Sequence, residues 1–220
     1  MLEIVTLTLG PVQTNAYMLA DSETHEAAVI DPSWDGQIIL RAAQARGWRI
    51  GHLWYTHAHF DHIGGAGAIA DGLNPLPLVA LHPADHGLWR AEGGAPLFGL
   101  KIDPGPEPTI DLYQGQALQL GRCQLEVRFT PGHTAGHCIF YVPQPSSSSP
   151  GVCFCGDLIF QNSVGRTDLP GGDTDMLLRS IKSQVFSLPD ETRLLPGHGA
   201  ETTVGYEKKH NPFVDDSQLT

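Results

Sequence analysis

The stretch that decides the fold of this 220-residue chain is Thr56-His57-Ala58-His59-Phe60-Asp61-His62. It follows the apolar segment Ile50–Tyr55, which predicts a strand. Side chains two residues apart at the end of a strand point the same way, so His57 and His59 can converge on one metal ion. If the chain turns after His59, Asp61 and His62 face a neighbouring point. The stretch therefore predicts ligands for two adjacent cations.

Further candidate ligands follow predicted strands at three later junctions, which read Thr130-Pro131-Gly132-His133, Cys155-Gly156-Asp157 and Leu195-Pro196-Gly197-His198. A residue at such a junction is held by the rigid sheet, while the adjoining Gly or Pro makes the turn. His133 can complete the first set of ligands and His198 the second. Asp157 has two carboxylate oxygens and can bridge both ions, so each ion would receive four protein ligands.

Hydrophobic patterning predicts an α/β chain in two similar halves. The predicted strands span residues 2–9, 16–20, 27–30, 50–55, 78–81, 118–120, 123–129, 138–142, 152–154 and 193–195. The predicted helices span residues 35–46, 65–71, 83–90 and 173–186. The Gly- and Pro-rich segment 93–108 is expected to be a surface loop or a flap over a site, and 143–150 a polar connection between two strands.

The charge balance argues against two classes of partner. The chain has 13 Lys and Arg against 24 Asp and Glu, a net charge of −11. This charge would repel phosphate backbones and anionic lipid headgroups, so we expect neither nucleic acid nor a membrane as partner. No apolar run approaches the roughly 18 residues that span a bilayer. No Lys or Arg precedes Arg41, which argues against an export signal, so a cytoplasmic protein is expected.

The cysteines are expected to be buried thiols. There are four of them, Cys123, Cys138, Cys153 and Cys155, which is too few for a disulfide scaffold. If the strands on either side of segment 143–150 pair symmetrically, Cys138 lies opposite Cys155. A disulfide between these two is then conceivable, but two reduced thiols are favoured in a reducing compartment.

The motif H-x-H-x-D-H followed by spaced His, Asp and His resembles the metallo-β-lactamase superfamily. The resemblance covers most of the chain and implies a single domain over residues 1–220, folded as a four-layer αββα sandwich with two mixed sheets, outer helices and metals at one edge. It also implies the same two ligand sets, His57, His59, His133 and Asp157 for one metal and Asp61, His62, His198 and Asp157 for the other.

Within the superfamily, Ser163-Val164-Gly165-Arg166-Thr167-Asp168 and Pro196-Gly197-His198-Gly199 resemble glyoxalase II and its short relatives. Only 22 residues follow His198, so the helical extension with which full-length glyoxalase II grips glutathione is expected to be missing. Arg166 matches a basic position near the site. It can hold a substrate carboxylate through a bidentate contact, or it is a surface Arg without such a role. Lys208 and Lys209 are expected on a solvated helix face.

The resemblance implies hydrolysis of S-D-lactoylglutathione or a related hydroxyacyl thioester, a small-molecule substrate, by a monomer or homodimer. Two divalent ions, zinc in the first instance with iron or manganese as alternatives, would supply hydroxide as the nucleophile. Asp61 would bind one metal and orient that hydroxide. A thiol has a pKa near about 8.5, so the thiolate leaves with little help from an acid.

Three alternatives remain open at this stage. A persulfide dioxygenase shares the histidine motif and the Gly-Arg-Thr-Asp stretch but uses a single iron held by some of these ligands. A lactonase would use the same hydroxide on a cyclic ester. A metal-binding module without catalysis would retain metal but turn over no ester or thioester.

Overall fold

The computed structural model describes residues 1–143 and 150–214. Its first half builds a six-stranded sheet in the order β1 to β6. The strands are β1 (Leu2–Leu9), β2 (Thr14–Asp21), β3 (Glu26–Ile30), β4 (Arg49–Trp54), β5 (Leu78–Leu81) and β6 (Ile110–Asp111). Strand β2 pairs antiparallel with both β1 and β3, whereas β3, β4, β5 and β6 pair parallel in that order, so the sheet is mixed.

The second half builds another six-stranded sheet, in the order β14-β13-β10-β9-β8-β7. Its strands are β7 (Ala117–Leu120), β8 (Cys123–Phe129), β9 (Cys138–Val142), β10 (Val152–Gly156), β13 (Arg193–Pro196) and β14 (Thr202–Thr203). Strands β10 and β13 run parallel, while the other pairs are antiparallel. A small hairpin of β11 (Ile159–Phe160) and β12 (Ser163–Val164) lies outside both sheets.

Six α-helices occur in the described residues: α1 (Gly36–Gln44), α2 (Phe60–Ile63), α3 (Ala66–Asp71), α4 (His86–Arg90), α5 (Thr174–Ser180) and α6 (Val204–His210). Helix α5 begins where the Asp173 side chain accepts a hydrogen bond from the Met176 amide, and it continues into a π-helical segment, Ile181–Val185. Short 3₁₀ turns form at Pro83–Asp85 and Glu92–Phe98.

Three apolar clusters separate four layers. Along β2, the side chains of Met18 and Ala20 pack with those of helices α1 and α3, whereas Tyr17 and Leu19 face the second sheet. Along β10, Phe154 faces the first sheet and Cys153 packs against the side chains of α5. This alternation follows from the two-residue period of a strand, so each sheet buries both faces. The α/β class and the αββα layer order are confirmed.

The structure corrects several local predictions. The predicted helix 83–90 is a 3₁₀ turn followed by α4, and Glu92–Phe98 forms helical turns inside the segment expected to be a loop. The pairing of β9 with β10 places Cys153 opposite Tyr141, one position away from the symmetric register, so Cys138 does not face Cys155. All four thiols are free, three of them buried and Cys123 half-buried. Residues 144–149 of the expected connection lie outside the described residues.

The two sheets meet at the edge where the candidate ligands lie. Strands β8, β10 and β13 all end at this edge, since β10 runs parallel to β13 and β9 is antiparallel to both β8 and β10. The Cys138 amide donates to the Thr56 carbonyl oxygen at 2.7 Å, and the Asn15 amide donates to the Gly197 carbonyl oxygen at 2.7 Å. The first bond joins the loop after β4 to the start of β9, and the second joins β2 to the loop after β13.

Candidate metal centre

The histidine motif follows β4 at the sheet edge. His59 has extended backbone angles (φ −67°, ψ 146°) and precedes α2, so the chain turns after His59 as predicted. His57 and His59 precede this turn, while Asp61 and His62 lie in the first turn of α2. All four side chains are buried. The local backbone therefore divides the motif into two pairs of donors.

The first donor set consists of His57, His59 and His133, whose donor atoms all lie within 4.8 Å of one another. His59 Nδ1 and His133 Nε2 are 2.9 Å apart. At this separation one of the two nitrogens carries a proton, which a bound cation would replace. His133 comes from the loop after β8, 74 residues from His59, so only the tertiary fold creates this set.

The second donor set consists of Asp61, His62 and His198. Asp61 Oδ2 lies 3.5 Å from His62 Nε2 and 3.2 Å from His198 Nε2. Asp157 stands between the two sets. Its Oδ1 is 3.3 Å from His62 Nε2, and its Oδ2 is 3.5 Å from His198 Nε2 and 3.6 Å from His133 Nε2. All seven predicted ligands thus meet at one place.

The spacing of these donors fits tetrahedral coordination. Around an ion with bonds of about 2.0–2.2 Å to N and O, neighbouring ligands of a tetrahedron lie about 3.3–3.6 Å apart. The separations within the second set and to Asp157 are 3.2 to 3.6 Å. His57 Nε2, His62 Nε2 and Asp157 Oδ1 are buried and make no hydrogen bond. Buried polar atoms without partners are costly, so these residues fit metal ions well.

Hydrogen bonds of Nδ1 orient the rings of His57 and His62 so that Nε2 faces the site. His62 Nδ1 donates to Asp31 Oδ2 at 2.9 Å. The Thr56 hydroxyl donates to the same carboxylate at 2.7 Å, so its oxygen is left to accept from His57 Nδ1 at 3.0 Å. With Nδ1 engaged as the donor in both rings, Nε2 of His57 and of His62 is the nitrogen left to bind a cation. Such outer contacts fix the tautomer of metal-binding histidines.

His133 and His198 are held by backbone carbonyl groups. His133 Nδ1 donates to the Arg166 carbonyl oxygen at 2.8 Å, and His198 Nδ1 donates to the Val12 carbonyl oxygen at 3.2 Å. In both rings Nε2, the atom that faces Asp157, is again the nitrogen left to bind a cation. In four histidines the hydrogen bond of Nδ1 thus fixes Nε2 as the atom that faces the site.

Charge and burial act in opposite directions in the two sets. Burial lowers the pKa of His57 well below its usual value and that of His59 to about 3, with neighbouring histidines adding to the effect. Burial would also lower the pKa of His62, but Asp157, Asp61 and Asp31 raise it well above the usual value. Burial favours protonation of Asp61, yet His62 and His198 bring its pKa down to about 2. The first set is therefore neutral and the second holds ionised carboxylates.

Sequence reasoning missed several residues that hold the ligands. The Thr14 hydroxyl donates to Asp61 Oδ2 at 2.9 Å. Asp85 is buried and accepts hydrogen bonds from the amides of Ala58 and Gly136 and from the Thr134 hydroxyl. Like the predicted ligands, Asp31 directly follows a strand, so the same signal was available for it. The roles of Thr14 and Asp85 depend on contacts far apart in sequence, and no local pattern signals them.

His137 has a supporting role at the site. Its Nε2 accepts from the Asp157 amide at 3.2 Å, and its Nδ1 lies 2.8 Å from the Thr130 hydroxyl oxygen. Burial lowers its pKa well below the usual value, so the ring is neutral and able to accept. His137 therefore positions the residue that stands between the two sets.

Arg166 lies at the edge of the site, but its guanidinium group is already engaged. Nε and Nη2 each donate to the Asp168 carboxylate at 2.7 Å, and both side chains are largely exposed. A substrate carboxylate would have to compete with Asp168. Lys208 pairs with Asp190 at 2.7 Å, and Lys209 is exposed on α6, which confirms the solvated helix face.

A cavity of about 290 Å³ opens beside the two donor sets. His59, Asp61, His133, Asp157 and His198 line it, together with Arg166 and a group of apolar side chains. Residues 93, 94, 97 and 98 of the Gly- and Pro-rich segment also line it, so this segment borders the site. Gly93 has a positive φ of 62°, and a Cβ there would overlap the Phe60 amide nitrogen, so only glycine allows this close approach.

Residues 9–198 match the family model of the metallo-beta-lactamase superfamily. The chain belongs to this superfamily. The probable metallo-hydrolase YqgX of Bacillus subtilis is 34% identical over 97% of this chain and 98% of that protein. The hydroxyacylglutathione hydrolase GloC of Haemophilus influenzae is 31% identical, again over 97% and 98%. The crystal structure of TTHA1623 in a di-iron-bound form is 39% identical, with a TM-score of 0.82, over 95% of this chain and 99% of that one.

Membership of the superfamily agrees with the resemblance seen in the sequence. The His and Asp groups of the structure are the residue types with which such a fold can bind metal ions. The described part of the chain contains no helix with the length and apolar character needed to cross a membrane.

Proposed function

We propose that this protein is a binuclear metal-dependent thioester hydrolase that cleaves S-D-lactoylglutathione or a related hydroxyacyl thioester. The observation that carries the proposal is the presence of two complete donor sets with Asp157 between them. A single-ion enzyme needs one such set, whereas here the second set is as closely spaced as the first. The 31% identity to a hydroxyacylglutathione hydrolase supports the same reaction class.

Bound divalent ions would lower the pKa of water to near neutrality and polarise the thioester carbonyl. His57, His59, His133 and Asp157 would hold one ion, and Asp61, His62, His198 and Asp157 the other. Zinc suits this mixture of imidazole and carboxylate donors, and iron or manganese can use the same atoms.

The chain itself positions the attacking water. Asp61 lines the cavity, and the Thr14 hydroxyl restrains its Oδ2 from the opposite side. We assign to Asp61 the role of accepting a hydrogen bond from the water, which orients a lone pair of that water towards the carbonyl carbon. The products are a carboxylic acid and a thiol. Because a thiol is acidic, the leaving sulfur needs no dedicated proton donor.

The proposal is tested by measuring metal identity and stoichiometry together with thioester hydrolysis. The purified protein is prepared with iron kept reduced, and moles of metal per chain are compared with turnover of S-D-lactoylglutathione. We expect about two ions per chain and loss of turnover in Asp61→Asn. Metal retained without hydrolysis of any thioester or ester would refute catalysis and favour a binding module.

The same preparation distinguishes the two alternative enzymes. One iron per chain with oxygen consumption on glutathione persulfide would identify a dioxygenase. Faster opening of a lactone than of any thioester would identify a lactonase. The completeness of the second donor set favours the hydrolase over the dioxygenase.

The remaining features of the proposal follow from charge and from the sequence. We propose a single domain over residues 1–220 that acts in the cytoplasm as a monomer or homodimer. The partner is a small-molecule thioester. With a net charge of −11 we propose no nucleic acid or membrane partner.

A further inference from the structure

The cavity beside the donor sets is lined by apolar side chains as well as by the candidate ligands. Six side chains form this apolar wall, namely Val12, Phe60, Leu88, Leu97, Phe98 and Leu169. The Phe60 and Phe98 rings are in contact, with centroids 5.3 Å apart. A pocket that joins a few convergent polar groups to an apolar wall is the usual form of a small-molecule site.

The outer part of this wall is exposed to water. Leu97 is 70% exposed, Phe98 50% and Val12 47%. Each would gain free energy from contact with an apolar group, at about 25 cal/mol for each Å² removed from water. Because these side chains border the reacting centre, an apolar group attached to the substrate would reach them.

The charges around the cavity disfavour an anionic substrate. Among the described residues that line it, Arg166 is the only Lys or Arg, and its guanidinium is paired with Asp168 through two hydrogen bonds of 2.7 Å. The glutathione part of a thioester carries two carboxylates. It would meet no unpaired guanidinium or ammonium group on this wall, and the chain has a net charge of −11.

We propose that the preferred substrates are uncharged thioesters with an apolar chain, which lies against the wall of Val12, Phe60, Leu97, Phe98 and Leu169. The inference rests on the proposed thioester hydrolysis and shifts the preferred substrate from S-D-lactoylglutathione to this apolar class. The cavity of about 290 Å³ borders both the donor sets and this wall. The reaction is hydrolysis, in which water adds across the C–S bond to yield an acid and a thiol.

The test compares kcat/KM of the metal-loaded, full-length protein for four thioesters. S-acetyl-N-acetylcysteamine is the reference without an apolar chain. S-octanoyl-N-acetylcysteamine carries the chain on the acyl side, S-acetyl-octanethiol carries it on the sulfur side, and S-D-lactoylglutathione is the anionic competitor. We expect at least one octyl-chain substrate to exceed both the reference and S-D-lactoylglutathione by about tenfold or more.

Variants of the wall connect the preference to these residues. Leu97→Ala and Phe98→Ala are expected to lower kcat/KM for the preferred octyl substrate about fivefold more than they lower kcat/KM for the reference. Leu76→Ala is the matched control, because Leu76 is 61% exposed and lines a different cleft. Asp168→Asn releases Arg166 and is expected to raise kcat/KM for S-D-lactoylglutathione alone, about threefold.

A binding measurement separates the inference from the proposed function. The thioether S-octyl-N-acetylcysteamine cannot be hydrolysed, and we expect Leu97→Ala to weaken its Kd about fivefold in titration calorimetry. If no thioester is hydrolysed but this binding pattern holds, the proposed function is wrong and the apolar preference stands. If S-D-lactoylglutathione is the best substrate and Leu97→Ala and Phe98→Ala behave as Leu76→Ala does, the inference is overturned and the hydrolase remains.

Discussion

Replacing Asp85 by Asn should loosen the centre without touching a proposed ligand. The Asp85 carboxylate is buried and joins two loops. Its Oδ2 accepts from the Ala58 amide at 3.1 Å and from the Thr134 hydroxyl at 2.7 Å, and its Oδ1 accepts from the Gly136 amide at 2.7 Å. Ala58 lies between two ligands of the first set, and Thr134 follows the third. Asp85 therefore sets the distance between them.

The size of the effect follows from these bonds. An asparagine side chain at this position keeps one acceptor, so at best it retains the bonds from Ala58 and Thr134 and turns its amide group towards the Gly136 N–H. A lost hydrogen bond to a charged group is worth about 1.5–3 kcal/mol, and leaving a buried donor unpaired costs about 1–3 kcal/mol. Burial raises the pKa of Asp85, so removing the charge recovers part of this loss. We expect a net destabilisation of about 1–3 kcal/mol.

The assay combines urea denaturation of the metal-free protein with metal titration. Mutation of a residue that holds a ligand from behind typically changes metal affinity about 10–100-fold. We expect Asp85→Asn to weaken metal binding at the first donor set by that factor. Asp103→Asn is the control, since Asp103 is exposed and its carboxylate accepts a local hydrogen bond from the Gly105 amide at 2.9 Å. Wild-type stability together with wild-type metal affinity in Asp85→Asn would refute this account of the two loops.

Two other predictions concern the same centre. In the metal-free protein burial alone would lower the pKa of His198, but hydrogen bonds to Asp157 and Asp61 raise that pKa from 6.5 to about 9. The contribution of the charged His198 to the free energy of unfolding is therefore full below pH 6.5 and is lost as the pH rises through 9. Urea denaturation should show this decline in the wild type and a weaker one in His198→Gln, and equal slopes would contradict it. Gly197→Ala would bring a Cβ against Asp157 Oδ1 and should lower the metal content measured by elemental analysis. Gly87→Ala is the control, because a Cβ there meets no atom within 4 Å and should leave the metal content unchanged. Full metal content in Gly197→Ala would contradict the close approach of Gly197 to Asp157.

The sequence predicts much of the fold because its signals are local. The apolar runs at residues 16–20 and 152–154 predict strands, and the structure places both in sheets that bury both faces. The helix boundaries predicted within residues 83–98 differ from those of the structure. The turn Glu92–Phe98 packs on α2, a tertiary contact that local propensity does not record.

The register of β9 against β10 also could not be predicted from the sequence. The symmetric pairing put Cys138 opposite Cys155, but the observed pairing places Cys153 opposite Tyr141. A shift of one residue exchanges the faces of a strand, and the apolar side chains of both faces here are buried, so pattern alone does not distinguish the two registers.

The amino-acid sequence alone was enough to identify the candidate donors, because four occupy the six positions 57–62 after a predicted strand and three occupy similar strand-to-loop junctions. Only the tertiary structure decided that these junctions meet at one edge and that Asp31, Thr14 and Asp85 hold them. It also decided that Arg166 is paired with Asp168 beside an apolar wall. The contacts that hold the ligands depend on hydrogen bonds between residues far apart in sequence, such as Asp31 to Thr56, 25 positions apart, and Asp85 to Gly136, 51 positions apart. Such a bond exists only once the sheets have packed.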